Sequence, residues 1–240
     1  MKLLKYKQIA DDIRKAILDK KYKPGEQLAL EREMCKTYGV SRITIKRAID
    51  ELVKSGLVVK RRGSGTFVKS LEAKEVRDLG QADQFSGFTA TFPHSKVKTQ
   101  VMKFDIVHPT EKVAAKLNLT TEDFVYDFIR VRILDDKPIV VEYTQMPIET
   151  IPGIKMDVLQ SSIYQYIEKK LHFHIQSAHR TLHAVLPTDQ EKEWLAIDKP
   201  MAILEVEQVS YLDNGAPFEY SMVHHRGDYG ELRTVSLRKS

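Results

Sequence analysis

Arg130 and Arg132 stand two apart in the segment Val125 to Ile133, with Tyr126 and Phe128 at the same parity. On a β-strand these four side chains share one face, and Val125, Ile129, Val131 and Ile133 share the other. Two guanidinium forks beside aromatic rings make an anion site, because the fork matches a phosphate and costs less to desolvate than an ammonium group. The same alternation also fits a solvated sheet face, so the pattern leaves both readings open. Glu142 and Glu219 recur in two similar contexts, Leu134-Asp135-Asp136-Lys137-Pro138 before Glu142-Tyr143-Thr144, and Leu212-Asp213-Asn214-Gly215-Ala216-Pro217 before Glu219-Tyr220-Ser221. Either two tight turns reuse the same residue types, or the glutamates sit at equivalent places on a pseudo-symmetric sheet and converge on a polar ligand. Whether Glu142 shares the arginine face depends on the loop, since a register shift of one residue flips the strand.

Two carboxylates can also serve as acid and base, but no nucleophile, base and orienting group accompany them, and no catalytic residue is assigned. His172, His174, His179, His183, His224 and His225 raise metal sensing as a further reading, with His172 and His174 on one strand face. Histidines in such numbers are more often solvated or packed, and no metal is assigned. No glycine-rich phosphate loop is present, and no cofactor is expected.

A second constellation lies near the amino terminus. Residues 1–69 hold 18 Lys and Arg against 8 Asp and Glu, a net charge of +10, whereas residues 70–240 sum to −5. A basic module on an acidic body is the footprint of polyanion binding. Ser41, Arg42, Thr44, Lys46 and Arg47 load the start of one helical segment, and Arg61-Arg62-Gly63-Ser64-Gly65 forms a tight basic turn.

The elements that must position these groups are legible. Ile9, Ile13 and Ile17 recur every fourth residue from Lys5 to Lys20, an amphipathic helix ended by Pro24-Gly25. A second helix spans about Glu31 to Tyr38, with Gly39 able to take the left-handed conformation. Ser41 caps a third, running to about Ser55, in which Ile45, Ala48, Ile49, Leu52 and Val53 face the core. Ile43 points outward, where an apolar group can touch a thymine methyl. Leu57 to Lys60 and Thr66 to Lys69 read as a hairpin whose glycines let backbone approach a groove. Three helices and a hairpin predict a winged helix-turn-helix over residues 1–69, with its third helix in a major groove.

Residues 70–85 are polar and weakly periodic and predict a linker. Residues 86–240 form the larger domain, with strands over Val97 to Val107, Phe124 to Leu134, Ile139 to Met146, His172 to Leu186, Ala202 to Leu212, Phe218 to His225, and near Leu232 to Leu237. Helices are predicted at Glu111 to Leu117, Ser162 to Leu171 and Asp189 to Leu195. This is an α+β layout with a mostly antiparallel sheet. A single cysteine, Cys35, excludes an internal disulfide and any multi-cysteine zinc site. No apolar run approaches a membrane span, and the basic, early-helical start does not read as a signal peptide, so a cytoplasmic protein is expected.

Residues 5–69 resemble the DNA-binding domain of the GntR family of bacterial regulators. The resemblance rests on Tyr6-x-Gln8-Ile9, Pro24-Gly25, Glu31-Arg32-Glu33, Gly39-Val40-Ser41-Arg42-x-Thr44, Gly56-Leu57-Val58 and Gly63-x-Gly65-Thr66-Phe67-Val68. It implies base or backbone contacts from Arg32, Arg42 and Lys46, support from Ser41, Thr44 and Arg47, and Gly65 at the wing tip. Leu28-Ala29-Leu30 departs from the family's usual Leu-Pro-Ser, and Lys46 stands where arginine is common. A lysine cannot make the planar bidentate contact to guanine.

Residues 85–238 are similar to the UTRA ligand domain of the HutC-type members, which has a chorismate-lyase-like fold. Gly87-Phe88-Thr89, Arg130-x-Arg132, the Glu142 segment with Met146-Pro147, Ser162-x-Tyr164, and Glu219-Tyr220 with Arg226-Gly227-Asp228 carry the similarity. It implies a phosphate cradle of Phe88, Thr89, Arg130, Arg132, Ser162 and Tyr164, with Glu142 and Glu219 at the sugar end and His225 where such members often have tyrosine. The implied protein is a homodimeric repressor, released from double-stranded operator DNA by a small anionic effector such as an amino-sugar or other sugar phosphate. An organic acid effector and a chorismate-lyase-like enzyme are the alternatives, and a shared fold does not decide between sensor and enzyme.

Overall fold

The computed structural model describes residues 4–61, 63–69, 88, 92 and 95–229. They fall in two compact units, one containing residues 4–69 and the other containing residues 95–229 with Phe88 and Phe92. The predicted linker and the strand predicted near Leu232 to Leu237 lie outside the described residues.

In the smaller unit, α1 (Lys5–Leu18), α2 (Glu31–Tyr38) and α3 (Arg42–Lys54) bury Ile9, Ile13, Met34, Ile45, Ile49 and Leu52 in one core. The first helix stops at Leu18, well before Pro24, because Lys20 turns into the left-handed region at φ 56°. Gly39 closes α2 in the same region, at φ 61°. The wing is β1 (Val58–Arg61) and β2 (Gly65–Val68), paired antiparallel with Arg61 opposite Gly65. The chain before α2 adds to it: Gln27 bridges Phe67, and Leu28 N donates to the Thr66 carbonyl at 2.8 Å.

The larger unit is a six-stranded antiparallel sheet in the order β3-β4-β5-β8-β7-β6, from β3 (Val97–Val107), β4 (Val125–Leu134), β5 (Lys137–Pro147), β6 (Ile175–Val185), β7 (Ile203–Leu212) and β8 (Pro217–Arg226). Two β-α-β-β repeats build it. In the first, α4 (Glu111–Leu117) follows Pro109-Thr110; in the second, α7 (Asp189–Trp194) follows Pro187-Thr188, and both threonines cap their helix by accepting a backbone N–H. The hairpins β4-β5 and β7-β8 meet along β5 and β8, where Thr144 pairs with Ser221. These two residues follow the two Glu-Tyr pairs, so the echo in the sequence is a pseudo-two-fold sheet.

One face of the sheet is covered by α5 (Met156–Leu159), which the sequence reading missed, and α6 (Ile163–Lys169); they bury Tyr126, Phe128, Met146, Leu159, Ile163, Ile167 and Phe218. The opposite face packs Val113, Leu117, Val125, Val209 and Tyr220 in one cluster and Val131, Val141 and Leu195 in another. The strand predicted from His172 begins only at Ile175, because His172 adopts φ 58°; His172 and His174 therefore precede it and do not share a strand face.

Candidate DNA-binding surface and effector site

The start of α3 combines charge with exposure. Ser41 N-caps the helix, its Oγ accepting the Thr44 N–H at 3.3 Å and lying 3.0 Å from the Thr44 hydroxyl. Both hydroxyls thus fix the first turn. Arg42 projects from it 83% exposed, with Nε donating to Glu31 at 3.1 Å. Lys46, Arg47 and Arg32 are exposed, and so is Ile43, at 69%. A large apolar side chain left in water among cations has no packing role in this unit. Leu30 offers α2 no side-chain cap; Glu33 compensates by accepting the Leu30 N–H at 3.1 Å.

In the wing, the Arg61 guanidinium lies 4.9 Å from the centre of the Phe67 ring, which holds it on the hairpin. Arg62 falls outside the described residues. Gly65 adopts φ +119° and packs against Gln27, whose Nε2 donates to the Ser64 carbonyl at 2.7 Å. A side chain at 65 would be strained and would meet Gln27.

On the sheet, the register settles which face Glu142 takes. Arg130 pairs directly with Glu142 across β4 and β5, and directly opposed residues point the same way. Arg130 Nη2 is 2.6 Å from Glu142 Oε2, and Arg132 Nη1 is 3.9 Å from the same oxygen. Arg130 also donates to the Leu159 carbonyl at 3.2 Å, which ties the pair to α5. The Phe88 ring lies 4.8 Å from the Arg132 guanidinium carbon. Arg132 is 2% exposed, and that burial, with Glu142 opposing and Arg130 assisting, lowers its pKa to about 10. Burial alone would raise the Glu142 carboxyl, but Arg130 and Arg132 outweigh it and hold the group below its ordinary value.

Glu219 has a different environment. It accepts from the Tyr164 hydroxyl at 2.7 Å, Ser221 Oγ at 2.8 Å, Gln208 Nε2 at 3.2 Å and Ser210 Oγ at 3.4 Å. Burial raises its pKa in spite of these bonds, and the charge of Glu142 adds to the rise. Arg180 Nε donates to Gln208 Oε1 at 2.7 Å, which orients the amide so that its NH₂ faces Glu219. Burial also keeps the Tyr164 phenol well above its usual range. His225 pairs with Val140, itself opposite Arg132, and burial lowers its pKa to about 4, so the ring is neutral at pH 7.

The structure therefore brings Arg130, Arg132, Glu142 and Phe88 together, and groups Tyr164 with Glu219. Ser162 N-caps α6, its Oγ accepting the Gln165 N–H at 3.3 Å. Thr89 lies outside the described residues. Sequence reasoning missed Gln208, Ser210 and Arg180. Their signal is the alternation of Gln208 and Ser210 on β7, a segment read as a strand from Ala202 to Leu212 with neither face assigned.

On the other face, Tyr143 donates to Glu191 at 2.8 Å and its repeat equivalent Tyr220 to Glu207 at 2.8 Å. His224 bridges Glu191 and Glu205. Of these contacts, Tyr143–Glu191 joins the two repeats and the others tie together the second; all lie away from the arginine face.

Comparison with known proteins places both units. Residues 5–68 match the model of the bacterial regulatory proteins of the gntR family, and residues 94–230 match that of the UTRA domain. The chain is 36% identical over 235 residues to the HTH-type transcriptional regulator GmuR of Bacillus subtilis (strain 168), covering 98% of this chain and 99% of that protein. It is 31% identical, over 98% of this chain and 97% of the other, to MngR of Escherichia coli (strain K12), repressor of a mannosyl-D-glycerate transport/metabolism system. The crystal structure of YydK from Bacillus subtilis shares the fold, with a TM-score of 0.77 at 24% identity over 98% of this chain and 100% of that one. With its helix-turn-helix and its six-stranded sheet each matched over nearly their whole length, the chain belongs to the GntR family, as a DNA-binding transcription regulator with a UTRA domain rather than an enzyme.

Proposed function

We propose that the protein is a homodimeric cytoplasmic repressor released from its operator by a phosphorylated sugar bound at the Arg130–Arg132 face. The observation that carries the effector class is the buried arginine pair with Phe88 against Arg132: two guanidinium groups on one sheet face, beside an aromatic ring, offer the paired N–H geometry that suits a phosphate. Glu142, Glu219 and His225 supply acceptors for sugar hydroxyls, and Tyr164 and Ser162 close the site from α6. Thr89, next to Phe88 in the sequence, is assigned to the same cradle. The name of MngR, which refers to a sugar joined to an acid, is in keeping with a carbohydrate that bears negative charge.

Arg42, Lys46 and Ile43 read base edges, with Ile43 on a thymine methyl; Arg32, Ser41, Thr44 and Arg47 position the helix on phosphates. Arg61, Arg62 and Gly65 follow the adjacent groove. Release follows from a greater affinity of the effector for the state that does not fit two half-sites.

The test uses the full chain and an operator selected from random duplexes. Thermal shift against hexose and amino-sugar phosphates, the free sugars, and organic acids identifies the class, and anisotropy of labelled operator reads release. Stabilisation and release by a sugar phosphate, with none by its free sugar, is the expected result. A response confined to organic acids or to uncharged sugars overturns the phosphate reading.

A further inference from the structure

The first turn of α2 carries two acids, Glu31 and Glu33, in a unit whose residues 1–69 sum to +10. A carboxylate close to DNA opposes the phosphates, so each acid there calls for a use. Glu33 has one, since it accepts the Leu30 N–H at 3.1 Å and so caps the helix. Glu31 turns to the next helix instead: its Oε2 accepts the Arg42 Nε–H at 3.1 Å. The Arg42 side chain is 83% exposed and that of Glu31 30%. At that exposure packing does little to hold the arginine, and the bond to Glu31 selects its direction. A surface ion pair adds little to stability, so its consequence lies in where the guanidinium points.

A guanidinium offers its donors on two usable edges, a side edge that holds Nε and an end edge that holds Nη1 and Nη2. A bond at Nε takes the side edge. It leaves the end edge directed outward, and two N–H groups on one rigid plane match the O6 and N7 acceptors of guanine. Lys46, on the same helix, cannot form that contact.

We infer that Glu31 is a positioning residue for base readout, holding Arg42 end-on so that α3 reads a guanine; this rests on the reading of Arg42 as a base contact. Without Glu31 the same side chain swings to the nearest phosphate, which binds DNA and reads nothing. An acid in the first turn of a helix also complements the helix dipole. That role leaves base preference untouched, and preference is therefore what the experiment measures.

The experiment uses the full chain and an operator selected from random duplexes. The base pair at which Arg42→Ala relaxes preference is located first, and it should be G·C. Each variant is then titrated with that operator, its A·T substitution, its 7-deazaguanine substitution, which lacks N7, and a scrambled duplex. The wild type should bind the A·T duplex at least about fivefold more weakly than the parent, and the 7-deazaguanine duplex more weakly as well. Glu31→Ala should bring both ratios to within about twofold of unity. It should still bind the scrambled duplex at least as tightly as the wild type, because a negative charge has left; that binding also shows the unit to be folded. Glu31→Gln makes the same change of charge but keeps an oxygen for Nε, and should retain most of the discrimination. With Arg42→Ala already present, Glu31→Ala should alter neither ratio. Undiminished discrimination by Glu31→Ala, equal discrimination by Glu31→Ala and Glu31→Gln, or a base pair other than G·C overturns the inference. The two claims separate cleanly. If Arg42→Ala relaxes no base pair, Arg42 leaves the base contacts and Glu31 loses its role with it; relaxation by Arg42→Ala and none by Glu31→Ala removes the positioning role alone.

Discussion

Arg130 and Glu142 are direct cross-strand partners, 2.6 Å apart at Nη2 and Oε2 and both buried, and Arg132 shares the same carboxylate oxygen at 3.9 Å. Two buried guanidinium groups therefore face one carboxylate oxygen on the same side of the sheet.

Glu142→Gln removes the charge of the carboxylate that Arg130 and Arg132 share. The loss from breaking a buried pair is about 3–5 kcal/mol. The unfolding midpoint should fall accordingly, and inorganic phosphate should recover part of it. An unchanged midpoint would show that the pair carries no net stabilisation. Arg132→Ala should keep operator affinity and lose release by sugar phosphate; normal release would remove Arg132 from the effector site.

Arg42 and Arg61 should separate into two kinds of contact. Arg42→Ala is expected to weaken specific binding by about 1–3 kcal/mol and to relax preference at one base pair. Arg61→Ala should weaken binding to every duplex and reduce the salt slope by about one. Measured across a salt series, identical slopes for wild type and Arg61→Ala would exclude a phosphate contact from the wing.

Ile43 should be coupled to a methyl group on the DNA. Replacing each operator thymine in turn with deoxyuracil removes one methyl, and one such duplex should bind the wild type about 3- to 10-fold more weakly, in line with burial of one apolar carbon at about 0.8 kcal/mol or more. Ile43→Ala should bind that duplex and its parent equally. Undiminished discrimination by Ile43→Ala would assign the methyl to another side chain.

His225 should make stability depend on mild acid. An unfolded imidazole titrates near 6.5 and folded His225 near 4, so between these values the unfolded chain binds the proton and the native chain does not. This stabilisation is present above pH 6.5 and is lost as pH falls toward 4, amounting to about 2 kcal/mol between pH 7.5 and 5. Urea unfolding at the two pH values should show the loss in the wild type and much less of it in His225→Gln. Equal losses would place the acid sensitivity elsewhere.

The smaller unit was the more legible in sequence because its determinants are local. Ile45, Ala48, Ile49 and Leu52 announce the buried side of α3 through helical spacing, and Ser41 and Gly39 mark the ends of α3 and α2 by cap chemistry. The end of α1 was misjudged because Lys20 reverses the chain with no glycine or proline to mark it. The bridge from Gln27 to Phe67 of the wing was missed because its partners are far apart in the chain. In the sheet, strand identity was readable from alternation, but α5, a helix of 4 residues, is too short to show a period.

By itself, then, the amino-acid sequence determined the charge division between a basic amino-terminal module and an acidic remainder, the face on which Arg130 and Arg132 lie together, and the two Glu-Tyr hairpins. What each glutamate does was decided only by tertiary structure. Glu142 meets Arg130 because the bulge between Arg132 and Ile133 sets the register of β4 and β5, and a slip of one residue would have turned it to the other face. Glu219, in the equivalent hairpin, meets Gln208, Ser210 and Ser221 and receives Tyr164 from α6. Equivalent backbones thus give one carboxylate held ionised by cations and another surrounded by neutral donors, because the partners come from strands and helices distant in the chain.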